Sequence, residues 1–190
     1  MPNKVKLINR LRKGRVYRRS DIEQWSSSID RELNSLVKGG VLQKLSRGLY
    51  YYPKETVFGK APPEENVLVR EFLKDDRFLL TSPNVYNSLG VGTTQLYNQR
   101  VVYNHKRHGE FKLGNRKFSF RIKPHFPNKL NEEFLLVDLV NNLNKLAEDQ
   151  EKVLGKVGDR LRTMDKKKVH YYIARYGNQR TKKTLETLTR

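Results

Sequence analysis

Apolar positions near the start of the chain recur at helical spacing: Val5, Leu7, Ile8 and Leu11 share one face, and Gly14 follows as a stop. Ser20, Asp21, Ile22 and Glu23 have the order of a capping box, in which Ser20 and Glu23 satisfy each other's free backbone N–H groups, so a short second helix through Trp25 is expected. Ser26 to Ser28 then supply a turn and an N-cap for a third helix, Ile29 to Lys38, ended by Gly39 and Gly40. With about 100° of rotation per residue, Ile29, Leu33, Leu36 and Val37 form its buried stripe. Ser27, Arg31, Asn34, Ser35 and Lys38 centre on the opposite face, with the acids Asp30 and Glu32 at the flanks.

Val41 to Leu45 reads as a strand, Ser46-Arg47-Gly48 as a loop with Gly48 in a left-handed conformation, and Leu49 to Tyr52 as the returning strand, ended by Pro53. Leu49 and Tyr51 fall on one face of that strand and Tyr50 and Tyr52 on the other, so core packing is expected of at least one pair. The Pro-rich "GKAPPEE", 59–65, reads as a linker. Beyond it, Glu65 to Leu73 reads as a helix, and Ser82-Pro83 starts another through Leu89. Val101–Tyr103, Phe111–Leu113 and Phe118–Ile122 read as strands of an antiparallel meander. From Glu132 a helical stripe runs through Leu135, Leu136, Leu139, Val140, Leu143 and Leu146, and three further helices follow.

The expected fold class is α+β. Residues 1–58 have the element order of a winged helix-turn-helix, 59–65 link, and 66–190 form a second domain with a small antiparallel sheet (66–125) and C-terminal helices (131–190). In the winged motif the third helix enters the major groove and the hairpin touches the DNA backbone.

Charge sharpens this picture. The 39 Lys+Arg and 20 Asp+Glu leave a net +19, a field that concentrates polyanions and makes nucleic acid the default partner. The ten tyrosines, eight phenylalanines and one tryptophan are too many for a disordered chain. The absence of cysteine excludes disulfides, zinc ribbons and thiol nucleophiles. No apolar run approaches the roughly 20 residues that span a bilayer, and no secretory apolar stretch opens the chain, so a soluble, cytoplasmic protein without a membrane partner is expected.

Arg31 and Asn34 are the candidate base readers, since guanidinium pairs bidentately with guanine and carboxamide with adenine. Ser35 and Lys38 share their face, and Ser27 and Ser28 at the helix start suit phosphate or base edges. Arg47 at the hairpin tip and Lys44 on its strand are placed for phosphate or minor-groove contact. Lys4, Lys6, Arg10, Arg12, Arg15, Arg18 and Arg19 surround the first helix and offer nonspecific backbone affinity. The bland reading of each is a solvated surface.

Catalysis finds little support in the residues. A magnesium-dependent nuclease needs clustered carboxylates beside a lysine, whereas "FRIK" places Lys123 at a strand end with Arg121 where an acid would stand. Glu132, Glu133 and Asp138 read as capping and solubilising an amphipathic helix. His105 and His108 read as an exposed turn, and "GVGTT", 90–94, as a turn without the lysine of a phosphate loop. No catalytic residue, metal or cofactor is expected. The tail "ARYGNQRTKKTLETL" mixes cations and aromatics in the manner of nucleic-acid surfaces, and equally suits a docking helix.

Two stretches resemble a known family. "LVKGGVLQKLSRGLYYYPKETVFGKAPPEE", 36–65, is similar to the N-terminal domain of AbiEi antitoxins, and "LLTSPNVYNSLGVGTTQLYNQRVVYN", 79–104, resembles the start of that family's second domain. The resemblance implies a transcriptional regulator that represses its own toxin-antitoxin operon through the winged domain. It also implies a C-terminal domain that counteracts a nucleotidyltransferase toxin without a stable complex, in an abortive-infection (phage defence) setting. The alternatives are a DNA-binding regulator without an antitoxin role and a divergent magnesium-dependent nuclease.

Overall fold

The computed structural model describes residues 7–189. The chain is mixed α+β with small antiparallel sheets. It divides into two compact units, one taking in the chain up to Asp76 together with Glu110–Phe118, the other Arg77–Gly109 and the chain from Ser119 on.

In the first unit, helix α1 is described over residues 7–10; of the stripe expected there, Val5 lies outside the described residues, as do Lys4 and Lys6. Strand β1 (Arg15–Arg18) leads into helix α2 (Arg19–Ile22), which continues as a 3-10 turn, Glu23–Trp25. Helix α3 (Ile29–Lys38) precedes strands β2 (Gln43–Ser46) and β3 (Leu49–Tyr52). The sheet order β1-β3-β2 makes the last strand central, with Val16 opposite Tyr51 on one side and Gln43 opposite Tyr51 on the other. Gly14 turns the chain into β1 at φ +82°, and its N–H donates to the Tyr52 carbonyl at 2.6 Å. Strand β1 has no counterpart in the sequence reading, because "RVYR" acquires its extended form from pairing with residues more than thirty positions away.

The capping box does not form. The N-cap of α2 is Arg18, without a side-chain cap; Ser20 donates to Asp21 at 3.2 Å, and the Glu23 carboxylate is taken by Arg19. Extension of β1 to Arg18 starts the helix before Ser20 and moves both members of the box inside it. The core of this unit joins Leu7, Leu11, Ile22, Ile29, Leu33, Leu36, Leu42 and Tyr50. The expected stripe of α3 therefore faces inward, with Leu33 and Leu36 fully buried.

Residues read as a linker instead begin with a strand. β4 (Lys54–Thr56) and β5 (Gly59–Ala61) pair antiparallel, Lys54 opposite Ala61, and the tip residues Val57 and Phe58 are exposed. Helix α4 (Glu65–Leu73) follows at the expected bounds and still belongs to the first unit.

The second unit opens with β6 (Phe78–Thr81), antiparallel to β7 (Arg100–Asn104), and a 3-10 helix, Pro83–Leu89, whose start is capped by the Ser82 hydroxyl. Strands β8 (Gly109–Leu113) and β9 (Arg116–Ile122) stand in the strand order β6-β7-β9-β8, although Glu110–Phe118 is grouped with the first unit. This is not a sequential meander: β9, at seven residues, has both five-residue strands β7 and β8 as neighbours.

Helices α5 (Glu132–Asn142), α6 (Gln150–Thr163), α7 (Lys166–Tyr176) and α8 (Gln179–Leu188) finish the unit, a 3-10 turn Leu143–Lys145 extending α5. Each starts where an Asn or Asp side chain can accept a free N–H of the first turn: Asn131 from Phe134, Asp149 from Lys152, Asp165 from Lys167 and Lys168, Asn178 from Thr181. Helix α5 is buried on all sides from Phe134 to Val140, as a helix at the centre of a core must be. Leu139→Ala is expected to lower the unfolding free energy by about 2 to 5 kcal/mol. Leu96→Ala, at an 84% exposed position, should change it by less than about 0.5 kcal/mol. Urea denaturation of both variants checks the pair.

Candidate nucleic-acid interface

Burial of the apolar stripe of α3 leaves Arg31, Asn34 and Lys38 exposed on its outer side, with Ser35 half-buried beside them. Beyond the helix, Lys44 is exposed on β2 and Arg47 is exposed at the β2–β3 turn, which closes on Arg47-Gly48 with Gly48 at φ +71°. Ser46, read as part of the loop, is instead the last residue of β2 and pairs with Leu49. No ion pair or side-chain hydrogen bond among the described residues engages Arg31, Asn34, Lys38, Lys44 or Arg47. Arg31, Lys38, Lys44 and Arg47 are therefore without an ion-pair partner among the described residues.

Of the cations placed around the first helix, Arg10, Arg12 and Arg15 are exposed, whereas Arg18 and Arg19 are occupied. Arg19 lies against Asp30 through two hydrogen bonds, 2.7 and 2.9 Å, and reaches Glu23 at 2.5 Å. The hydrogen bond from Arg19 holds the Asp30 carboxyl below its usual range and raises the Arg19 guanidinium in return. A carboxyl depressed on folding favours the folded state above its unfolded pKa, and that contribution disappears as pH falls through the depressed value. Arg18 is turned toward α4, with Nη2 2.9 Å from Glu71 and Nε donating to the Glu71 carbonyl at 2.7 Å. Arg18 and Arg19 thus tie elements together rather than present free charge.

The serines before α3 correct a second expectation. Ser28 is the N-cap residue, but its hydroxyl makes no cap bond; it donates to Glu32 at 3.2 Å, and Ser26 donates to the same carboxylate oxygen at 2.5 Å. Glu32, expected on the flank of the helix, is 6% exposed, and this inward pull on Ser28 leaves Ser27 as the exposed serine. The tyrosines of β3 are structural on both faces. Tyr50 enters the core, and Tyr51, fully buried on the other side, donates to the Ala61 carbonyl at 3.0 Å.

The acids of the second unit do not gather. Glu132 pairs with Arg160, while Asp138, expected on a solvated face, is completely buried. It accepts from the Tyr86 hydroxyl at 2.8 Å, the Tyr103 hydroxyl at 2.9 Å, Lys123 Nζ at 3.0 Å and Asn142 Nδ2 at 3.3 Å. Burial, reinforced by the Asp138 charge, pushes both tyrosine hydroxyls well above their ordinary range. Lys123 also sits 3.9 Å over the Tyr103 ring. This network was missed, although a lone acid inside "FLLVDLV" is the signal that finds it: a single carboxylate in an unbroken apolar run has no solvated face to occupy.

The remaining small motifs are locally satisfied. His105 stacks on Phe126 with ring centroids 4.7 Å apart, and the backbone N–H groups of Thr94 and Gln95, at the end of "GVGTT", donate to Glu148 at 3.2 and 3.1 Å. Among the described residues no group of three or more acids or histidines is placed to hold a metal ion, and no helix is long and apolar enough to cross a membrane.

Residues 4–172 match the model of a family of unknown function, DUF6088, and the chain belongs to that family. No curated protein matches it. The match takes in the whole of the α3 and hairpin surface and the Asp138 network, and ends within α7.

Asp138→Asn removes the negative partner of Lys123 and substitutes a donor where several hydroxyl and amine donors converge. It is expected to cost about 3 to 5 kcal/mol of stability, read by urea denaturation.

Proposed function

We propose that this protein is a DNA-binding transcriptional regulator of the AbiEi antitoxin type, with residues 1–58 as a winged helix-turn-helix, α3 as reader and the β2–β3 hairpin as wing. The observation that carries the reading is the set of outward cations, Arg31, Lys38, Lys44 and Arg47, left unpaired around a helix whose opposite face is buried. The element order α1-β1-α2-α3-β2-β3 and the sheet order β1-β3-β2 suit that motif. Arg31 and Asn34 read bases, Lys38 and Lys44 meet phosphate, and Arg47 reaches the backbone or minor groove from the wing tip.

The antitoxin half rests on the resemblance of residues 36–65 and 79–104 alone. On that reading the chain represses its own operon and counteracts a nucleotidyltransferase toxin, without a stable complex and without catalysis of its own. Magnesium-dependent cleavage of duplex DNA, abolished by Glu132→Ala or Glu133→Ala, would replace it with the nuclease reading.

Titration of duplex DNA from the protein's own promoter tests the binding half. Log affinity should fall with log salt at a slope of about 4 to 6 in magnitude, reflecting the phosphates neutralised. An affinity indifferent to salt would contradict the proposal. Arg47→Ala should weaken all duplexes by a similar factor. Asp30→Asn should act in the opposite sense: it takes from Arg19 one of its two carboxylate partners and removes a negative charge next to Arg31, so affinity for every duplex should rise and its salt dependence steepen. Fluorescence anisotropy at several salt concentrations reads all three effects.

A further inference from the structure

A concave site lies wholly within the second unit, between the end of β9 with the residues that follow it, α5, and the α7–α8 turn. Its volume is about 410 Å³, inside the range of roughly 300 to 1,000 Å³ usual for small-ligand sites. Arg121, Lys123, Lys145 and Arg175 line it together with His108 and His125, and its lining includes no carboxylate. Lys145, Arg175 and both histidines are exposed, so the cations converge on a space that solvent or a ligand can enter.

Two of these cations are held in place from behind. Lys123 is fixed by the buried Asp138 at 3.0 Å and by the Tyr103 ring, and Arg121 donates to Asn142 at 2.9 Å while Asn142 itself donates to the Asp138 carbonyl at 2.8 Å. A buried carboxylate is a poor way to gain stability, because desolvation consumes most of the attraction it offers. Its effect here is to orient cation heads at the wall of a cavity, an arrangement that serves recognition of an anion. The start of α8 contributes in the same sense: Gly177 and the N-cap Asn178 line the site at the positive end of a ten-residue helix.

We propose that this site binds the phosphate group of a nucleotide, either free or at the end of a nucleic-acid strand. Arg121 and Lys123 form its rigid wall, and Lys145 and Arg175 close on the anion from the exposed side. The inference is independent of DNA binding by α3, since the site belongs to the other compact unit.

Calorimetric titration of the full chain tests it, with inorganic tripolyphosphate, GTP and a 5′-phosphorylated RNA pentamer as probes. Saturable binding of one GTP per chain is expected. Lys145→Ala and Arg175→Ala should each weaken it by about fivefold or more, as loss of a charge-assisted hydrogen bond does. Lys168→Ala, an exposed cation of α7 outside the lining, should leave it unchanged. Matching affinities for GTP and tripolyphosphate would assign recognition to the phosphates of a free ligand. A pentamer bound more than tenfold tighter than GTP, with the same sensitivity to Lys145→Ala, would assign the source to a strand end. Binding that fails to saturate, or that Lys168→Ala weakens as much as Lys145→Ala does, would reduce the site to diffuse surface charge and overturn the proposal. Thermal unfolding of each variant separates loss of binding from loss of fold.

Discussion

Burial of Leu33 and Leu36 is the constraint on which the first unit depends. Neither side chain retains exposed surface, and with Ile29 they lock α3 to the core that also receives Leu7, Ile22 and Tyr50. A helix fixed along one stripe has no freedom in what it shows on the other. Arg31, Asn34 and Lys38 face outward because Leu33 and Leu36 cannot. Rotation of α3 that withdrew these polar residues would expose the leucines, at about 1.5 to 3 kcal/mol for each fully buried side chain.

Local pairing then sorts the large excess of positive charge. Arg18 and Arg19 are absorbed by Glu71, Asp30 and Glu23, and serve to join α2, α3 and α4. In the second unit Lys123 is absorbed by Asp138 on one side yet keeps its place in the wall of a cavity. Among the cations that remain outward, those on α3, the β2–β3 hairpin and the cavity rim surround the two proposed binding surfaces. Net charge alone cannot make this distinction, since an arginine beside a carboxylate and one in open solvent count equally toward +19.

What the sequence revealed and what it hid follow the same division between local and long-range effects. Helix α3 and helix α4 were legible at their bounds because their apolar spacing and terminators are local. Strand β1 was not, since Arg15 to Arg18 are extended only through pairing with Leu49 to Tyr52. The same extension removed the capping box by moving the helix start ahead of Ser20. Strand β5 within the Pro-rich segment was hidden for a similar reason: its partner is β4, and neither strand has an apolar face of its own to announce it. Of the candidate surface, Arg31, Asn34, Lys38, Lys44 and Arg47 were placed by periodicity and turn chemistry, whereas the engagement of Arg18, Arg19 and Ser28 depended on partners that no spacing rule supplies.

On the proposed reading, α3 recognises DNA sequence through the face opposite its buried stripe. The most direct measurement is a footprint on the DNA upstream of the protein's own gene, taken with the wild type and with Arg31→Ala at matched salt. A bidentate contact to guanine is worth about 1 to 3 kcal/mol of discrimination, so the variant should lose preference for the protected site over unrelated DNA by roughly tenfold or more, while nonspecific binding persists. A footprint of undiminished preference would show that helix α3 is not the reader.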